Sequence, residues 1–168
     1  MAIGLRTSID TAEKIKIEYG TTVPDDVNQR ETIDLSLISK IDNHKVSKKH
    51  MAEIIEARYH EIFVMIKDEL RSIGRDGMLP GGVILTGSGV KMPGCLDLAR
   101  EVLGLPVQMG FPTEVEGVVD KIDDPSYASA IGLVTWGARY EGRSYGIGNF
   151  DFKKVFSGAK GWFKNLLP

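Results

Sequence analysis

Hydrophobic and polar residues recur along this chain at spacings that predict helices alternating with short strands. Apolar residues at three- and four-residue spacing predict amphipathic helices, and we expect these over residues 10–19, 48–73 and 95–103 and from residue 125 onward. Short apolar runs bounded by turn residues predict strands, which we expect at residues 33–37, 83–85 and 105–109. This alternation indicates an α/β fold.

The longest predicted helix follows the N-cap residue Ser47 and carries one continuous apolar face. A hairpin is predicted before it, because Ile33, Leu35 and Leu37 alternate with polar residues and a turn signal follows at residues 42–44. The opposite face of the helix is charged, which is typical of a solvated surface. The residues that we expect to be buried along the helix are Met51, Ile54, Ile55, Ile62, Phe63, Ile66, Leu70 and Ile73.

A glycine loop joins a predicted buried strand to a predicted helix near the middle of the chain. Val83-Ile84-Leu85 is followed by Thr86-Gly87-Ser88-Gly89, and a helix begins near Cys95. Gly87 and Gly89 permit positive φ and a close approach to the backbone. A strand, a glycine loop and a helix often hold a nucleotide or a phosphate. The same spacing also occurs in turns that bind nothing, so both interpretations stay open at this point.

Composition narrows the function classes. The 168 residues carry a formal net charge of −2, which argues against a general nucleic-acid binder. A single cysteine excludes an intrachain disulfide. The sequence has no apolar run that approaches the roughly 18 residues of a membrane-spanning helix.

The last part of the sequence differs in character from the rest. Residues 138–151 are rich in glycine and lack periodicity, which predicts a linker. Residues 152–168 place aromatic and aliphatic residues on one helical face and lysines on the other, which is typical of a helix lying in a membrane surface. A helix docked on its own domain and a helix that binds a partner protein are the alternatives. The residues expected to contact the membrane are Phe152, Lys153, Lys154, Phe156, Lys160, Trp162, Phe163, Lys164, Leu166 and Leu167.

The glycine loop also carries a family resemblance. Leu85-Thr86-Gly87-Ser88-Gly89, with Met92-Pro93-Gly94 after it, is similar to the adenosine motif of the actin, Hsp70 and sugar-kinase superfamily. In more detail, this stretch resembles the FtsA family of bacterial cell-division proteins, as do residues 3–8, 12–16 and 127–134 and the terminal linker and helix. Ser88 departs from the family's usual second glycine.

The resemblance implies part of an actin/Hsp70-like (ribonuclease H-like) α/β fold, its second half, followed by a C-terminal amphipathic helix. Residues 1–20 and 76–137 would form subdomain 2A, which lies on the nucleotide side. Residues 21–75 would form subdomain 2B, which docks the partner. Residues 138–151 would be the linker, and residues 152–168 the membrane-targeting helix.

The resemblance also implies ATP with Mg²⁺ as the cofactor of the whole family protein. Carried onto this sequence, the nucleotide contacts would be Glu13, Lys16, Gly87, Ser88, Gly89 and Met92. From spacing alone, without the resemblance, Glu13 and Lys16 are better explained as a solvated i,i+3 ion pair. The family's phosphate-binding turn and catalytic carboxylate belong to its first half and have no match here. We therefore expect no ATPase activity from this stretch, with ATP binding residual or lost.

The implied partners are the C-terminal tail of FtsZ, an anionic membrane surface and further copies of the family protein, but no nucleic acid. Arg58, Lys67 and Arg71 are the candidate contacts for the acidic and partly apolar FtsZ tail. The implied function is to tether FtsZ filaments, the Z ring, to the cytoplasmic face of the cell membrane at the division site. The alternatives are a piece of another actin-like ATPase, either a pilus-assembly adaptor or an Hsp70-like or sugar-kinase-like enzyme.

Overall fold

The computed structural model of the chain describes residues 1–112 and 122–141. The chain divides into two units, Met1–Ile131 and Gly132–Pro168, and the described part of the second unit is a length of helix. Short 3-10 turns lie at Pro24–Asp26, Leu35–Leu37, Ser88–Lys91 and Pro125–Tyr127. The helices and strands in chain order are α1 (Ala2–Leu5), α2 (Ile9–Tyr19), β1 (Thr32–Asp34), β2 (Lys45–Ser47), α3 (Lys48–Ser72), β3 (Val83–Leu85), α4 (Cys95–Leu103), β4 (Val107–Met109) and α5 (Ala128–Glu141).

Two small sheets confirm the α/β class. Strands β1 and β2 pair antiparallel, with Ile33 opposite Val46, and so form the predicted hairpin. Strands β3 and β4 pair in parallel, with Val83 opposite Val107. Parallel neighbours need a crossover connection, and α4 supplies it between β3 and β4.

The ends of the helices follow the local sequence signals. The Ser8 hydroxyl accepts a hydrogen bond from the Thr11 N–H at 3.1 Å and so caps α2. Ser47 caps α3 in the same way, at 3.2 Å from the His50 N–H. Gly104 ends α4 in a left-handed conformation, with φ of 66°. The predicted helix boundaries in this part of the chain are therefore confirmed.

Helix α3 runs through both hydrophobic clusters of the first unit. Its N-terminal half packs with α1, α2 and the hairpin around Ile15, Leu35 and Met51. Its C-terminal half packs with α4 and the β3–β4 sheet around Phe63 and Leu103. Residues 1–20, which we assigned to the same subdomain as 76–137, thus share their core with the hairpin as well.

The first strand is shorter than its alternating pattern predicts. It ends at Asp34, because the Asp34 carboxylate accepts hydrogen bonds from the Ser36 N–H at 3.1 Å and the Ser36 hydroxyl at 2.6 Å. This side-chain turn draws residues 35–37 into a 3-10 turn. Leu37 is consequently 86% exposed instead of facing the core.

Three residues that we expected to be buried are exposed. Ile62 lies at the margin of the α3 stripe, about 100° around the helix from the buried Phe63. Ile73 follows the last turn of α3 as its C-cap residue. Ile84 points away from the cluster that receives Val83 and Leu85, since successive strand residues face opposite sides of a sheet.

The predicted linker begins too early. Helix α5 continues to Glu141, so residues 138–141 are helical. The ring centroids of Trp136 and Tyr140, which are four residues apart in the sequence, lie 4.8 Å from each other. An aromatic pair at this spacing stabilises the helical turn that contains it. The remainder of the predicted linker and the predicted membrane helix, residues 142–168, lie outside the described residues.

Candidate functional site

The glycine loop is held by hydrogen bonds to two neighbouring segments. The Thr86 hydroxyl donates to the Gly110 carbonyl at 3.0 Å. The Gly87 N–H donates to the Pro125 carbonyl at 3.0 Å. The Lys91 ammonium pairs with Asp124 at 2.7 Å. The loop is therefore fixed in position by the strand end and by the segment that leads into α5.

One side of the loop is open. Gly87 has a φ of 98° and no atom within 4 Å of the position where a Cβ would stand. Ser88 and Gly89 occupy the first two positions of the 3-10 turn, where backbone N–H groups have no acceptor inside the turn. This side of the loop is open and carries backbone N–H donors, while the nucleotide contacts expected of Gly87 and Ser88 stay a prediction.

Gly89 contacts a residue of α3, and the nucleotide contact expected of it stays a prediction. Its φ is not positive, and a Cβ there would stand 3.4 Å from the hydroxyl of Tyr59. That hydroxyl donates to the Gly89 carbonyl at 2.8 Å and ties α3 to the loop. Burial raises the pKa of Tyr59. Sequence reasoning missed Tyr59, although its spacing from Phe63 places both rings on the buried face of α3.

The end of the loop is seated on the segment after α2. The Pro93 carbonyl accepts from both the N–H and the hydroxyl of the buried Thr22, at 2.9 and 3.0 Å. A Cβ on Gly94 would stand 2.4 Å from a methyl carbon of Val23. Met92 lies close to the end of α2, since a Cβ on the C-cap residue Gly20 would stand 3.1 Å from its sulfur. The glycines at 20 and 94 therefore permit contact between protein segments.

Glu13 and Lys16 pair with each other on the exposed face of α2. The Lys16 Nζ lies 2.5 Å from a Glu13 carboxylate oxygen, which is the i,i+3 ion pair that spacing alone allows. Lys16 also lines a cavity of roughly 350 Å³ together with Tyr59, the residue that contacts Gly89. Lys16, which pairs with Glu13, thus lines the same cavity as the residue that supports the glycine loop.

A buried carboxylate lies near the start of the same helix. Asp42, in the hairpin loop, is buried, and the nearby hydroxyls of Thr7 and Thr11 lower its pKa. The hairpin loop therefore lies close to the beginning of α2, the helix that carries Glu13 and Lys16. The sequence marked this residue only as part of a turn.

The three candidate partner contacts on α3 do not share one surface. Arg58 and Lys67 are nine residues apart, so they project from opposite sides of the helix. Arg58 is exposed and pairs with Glu61 at 2.8 Å. Arg71 lies near the side of Lys67 and pairs with Asp68 at 2.9 Å.

Lys67 has a structural contact. Its ammonium donates to the Val102 carbonyl in the last turn of α4 at 2.8 Å. A cation at this end of a helix satisfies an otherwise unpaired carbonyl and interacts favourably with the helix dipole. Lys67 therefore stabilises the packing of α4 on α3. This role was not visible in the sequence, because it depends on which helices lie next to each other in the fold.

The described residues place two further limits on the chemistry. Within residues 1–112 and 122–141, no cluster of three or more His, Cys, Asp or Glu side chains could hold a metal ion. In the same ranges, no helix combines the length and the apolar character needed to cross a bilayer. The residues predicted to contact a membrane surface lie outside the described part.

Comparison with known proteins identifies the family. The fold and the loop define an α/β protein in which a strand, a glycine loop and a helix form one unit. The sequence profile described as "Cell division protein FtsA" matches residues 1–132. The chain belongs to the FtsA family of cell division proteins, and this membership implies an actin-like fold. The resemblance drawn from the glycine loop is thereby confirmed, and the alternative families are disfavoured.

Curated relatives agree with this assignment. The chain is 35% identical over 137 residues to the cell division protein FtsA of Pseudomonas aeruginosa, which covers 82% of the chain and 33% of that protein. It is 35% identical over 150 residues to FtsA of Bacillus subtilis (strain 168), covering 88% of the chain and 33% of the relative. For FtsA of Escherichia coli (strain K12), identity is 27% over 173 residues, covering 99% and 40%. The chain thus spans about a third of the length of the first two relatives.

Proposed function

We propose that this chain acts in bacterial cell division as an FtsA-type adaptor that holds FtsZ filaments at the cytoplasmic face of the cell membrane. The observation that carries this proposal is an exposed strip on α3, in a chain that belongs to the FtsA family. Arg58, Ile62 and Met65 follow each other at spacings of four and three residues and are all exposed. A cation beside two apolar side chains complements a peptide that is acidic and partly apolar.

The ion pair of Arg58 does not prevent such binding. Arg58 and Glu61 are both largely exposed, and an exposed pair of this kind contributes little to stability. A carboxylate of an incoming peptide can therefore take the place of Glu61 at small cost. Lys67 and Arg71, on the other side of α3, are not part of this strip.

A peptide titration tests the docking role. A fluorescently labelled peptide with the sequence of an FtsZ C-terminal tail is titrated with the full chain, and we expect saturable binding. Replacing Arg58→Glu should weaken that binding by about tenfold or more, because an attraction becomes a repulsion. Arg71→Glu makes the same charge change on the other side of the helix and serves as the matched control. Absence of saturable binding to the folded chain, or equal loss in both variants, would refute the docking site.

We further propose that residues 152–168 anchor the chain to an anionic membrane. The support is the sequence pattern of lysines and aromatic residues. Several weakly anchored copies held together by one filament would gain avidity. Co-sedimentation with anionic liposomes should be lost when Phe156→Asp and Trp162→Asp are combined, and it should weaken at high salt. Leu37→Asp, at an exposed leucine in a 3-10 turn, is the control. Equal sedimentation of all three proteins would refute the anchor.

For the nucleotide, we propose adenosine-side contacts without hydrolysis. The open side of the loop at Gly87 and Ser88, the pair Glu13 and Lys16, and the neighbouring Met92 would supply these contacts, with Gly89 acting through its hydrogen bond to Tyr59. ATP with Mg²⁺ should bind weakly, and Lys16→Met should weaken the binding further. Isothermal titration with the full chain measures both. Turnover of ATP by the purified chain would contradict the proposal.

A further inference from the structure

The hairpin loop, residues 35–44 between β1 and β2, holds a buried carboxylate oxygen without a hydrogen-bond partner. Asp42 is 9% exposed, and within residues 1–112 and 122–141 it is the one carboxylate that is buried. Its Oδ2 atom accepts no hydrogen bond from the groups described in those ranges. An unpaired buried oxygen is costly, and more so when it carries charge. This oxygen therefore needs a donor close by.

A second buried atom in the same place also lacks a partner. The Thr7 hydroxyl oxygen, in the segment between α1 and α2, is buried and unpaired in the part of the chain that the structure describes. This hydroxyl contributes most to holding the pKa of Asp42 below its usual value, so the two groups are close. A hydroxyl can donate, and an ionised carboxylate can only accept. One hydrogen bond between Thr7 and Asp42 therefore satisfies both atoms.

The surroundings of these two atoms favour a negative charge. Helix α2 follows its N-cap residue Ser8, and the positive end of the helix dipole attracts anions and repels cations. The Thr11 hydroxyl oxygen accepts from the Ser8 hydroxyl at 2.8 Å, so its own proton stays available for Asp42, whose pKa it also lowers. This environment suits a carboxylate and disfavours a bound cation.

The hairpin loop has a second contact with the same corner of the chain. The His44 Nε2 lies 3.1 Å from the Leu5 carbonyl, and because a carbonyl only accepts, this nitrogen carries the proton. Leu5 is the last residue of α1, where carbonyl groups have no donor inside the helix. The next residue, Arg6, has a φ of 53° and turns the chain towards α2. The loop thus meets the corner at Leu5 and beside Thr7.

We propose that the Asp42 carboxylate accepts a hydrogen bond from the Thr7 hydroxyl and, together with His44, forms a clasp that holds the hairpin loop on the corner between α1 and α2. Because α2 carries Glu13 and Lys16, Asp42 is also a positioning residue for the proposed nucleotide contacts. This second part rests on the proposed function, whereas the clasp itself does not. The clasp joins segments that the sequence assigns to subdomains 2A and 2B.

A double-mutant cycle in the full chain tests the hydrogen bond. Thr7→Val removes the hydroxyl and keeps the shape of the side chain, and Asp42→Ala removes the acceptor. We expect Thr7→Val alone to raise the unfolding equilibrium constant by about tenfold, measured by urea unfolding. In a chain that already carries Asp42→Ala, the same change should cause no loss, because the hydroxyl has no acceptor. Equal effects in the two backgrounds would overturn the proposal.

Thr22→Val is the matched control for the cycle. Thr22 is also buried, but its hydroxyl donates to the Pro93 carbonyl at 3.0 Å, so its loss should be the same with and without Asp42→Ala. If Asp42→Ala prevents folding, Asp42→Asn takes its place. The amide oxygen is a neutral and weaker acceptor, so the effect of Thr7→Val should fall to about threefold. An undiminished effect would contradict the hydrogen bond.

Hydrogen exchange shows whether the contact acts locally. The Ala12 N–H bonds to the Ser8 carbonyl in the first turn of α2, and the Gly104 N–H bonds to the Arg100 carbonyl at the end of α4. Asp42→Asn should accelerate the exchange of the Ala12 N–H and leave that of the Gly104 N–H unchanged. Equal acceleration of both would show a general loss of stability and would refute a local clasp.

Isothermal titration with ATP and Mg²⁺ tests the positioning role. Asp42→Asn should weaken the binding by about threefold or more, whereas Lys67→Met, which removes a contact with α4, should leave the affinity unchanged. If the unaltered chain does not bind ATP, the nucleotide proposal fails, and the double-mutant cycle still decides on the clasp. If it binds ATP with the same affinity after Asp42→Asn, the positioning role is refuted.

Discussion

Gly94 is the residue whose replacement tests most directly how the glycine loop is seated. It precedes α4 with a φ of 82°, a conformation that side chains rarely adopt. A Cβ at this position would stand 2.4 Å from a Val23 methyl carbon and 2.5 Å from the Thr22 hydroxyl oxygen. Gly94→Ala therefore combines backbone strain with a steric clash against the segment that follows α2.

The expected loss of stability can be estimated from these two terms. The left-handed backbone costs an alanine about 1–2 kcal/mol. Crowding by an added methyl group in a packed site costs about 1–3 kcal/mol more. The reduced freedom of the unfolded chain offsets about 0.4–1 kcal/mol. We expect Gly94→Ala to lower the free energy of unfolding by about 2–4 kcal/mol, a large fraction of the roughly 5–15 kcal/mol of a typical domain.

Gly104→Ala is the matched control for this experiment. Gly104 has a φ of 66° at the other end of α4, and an added Cβ there meets no atom within 4 Å. It carries the strain without the clash, so its loss should be only about 1 kcal/mol. Urea unfolding of the full chain, followed by circular dichroism, gives both differences. Equal destabilisation by the two substitutions would refute the inferred clash and leave only the backbone term.

Three further substitutions test other contacts of the site. Tyr59→Phe removes one hydrogen bond to the glycine loop and should cost about 1 kcal/mol in urea unfolding; an unchanged midpoint would contradict this role. Lys67→Met keeps most of the side-chain stem but loses the bond to the Val102 carbonyl, so we expect a loss of about 0.5–1.5 kcal/mol, whereas no loss would mean that the lysine is only a surface cation. The Lys91 ammonium holds the pKa of Asp124 well below its usual range. This pair therefore stabilises the fold at pH values above about 4, the pKa of an aspartate in the unfolded chain. The contribution is lost as the pH falls below that value. Asp124→Asn should therefore lower the urea midpoint at pH 7, with a difference that shrinks in acid; a difference independent of pH would refute the ion pair.

Local sequence predicted most of the elements because their signals lie within a few residues of each boundary. Ser8 and Ser47 cap helices through their own side chains, and Gly104 ends a helix through its own backbone freedom. The glycine loop was visible for the same reason, since a strand, small residues and a helix follow each other directly. The parallel pairing of β3 and β4 also follows from the short helix between them.

The site was predictable only in part, because several of its residues act through neighbours that are remote in sequence. The Gly89 carbonyl accepts a hydrogen bond from Tyr59, thirty residues earlier in the chain. Gly94 accommodates Val23, and Lys67 reaches a carbonyl of α4. A glycine in such a loop is also explained by a nucleotide-binding motif, and a lysine on a helix is also explained by a solvated charged surface. Only the packed structure distinguishes the two explanations.

The sequence by itself determined the family, the alternation of helices and strands, the position of the glycine loop and most helix ends, all of which depend on residue order and local chemistry. The tertiary structure decided which glycines face open space and which face protein, and which cations on α3 remain available to a partner. These outcomes depend on which surfaces meet, and that is settled by packing between segments far apart in the chain.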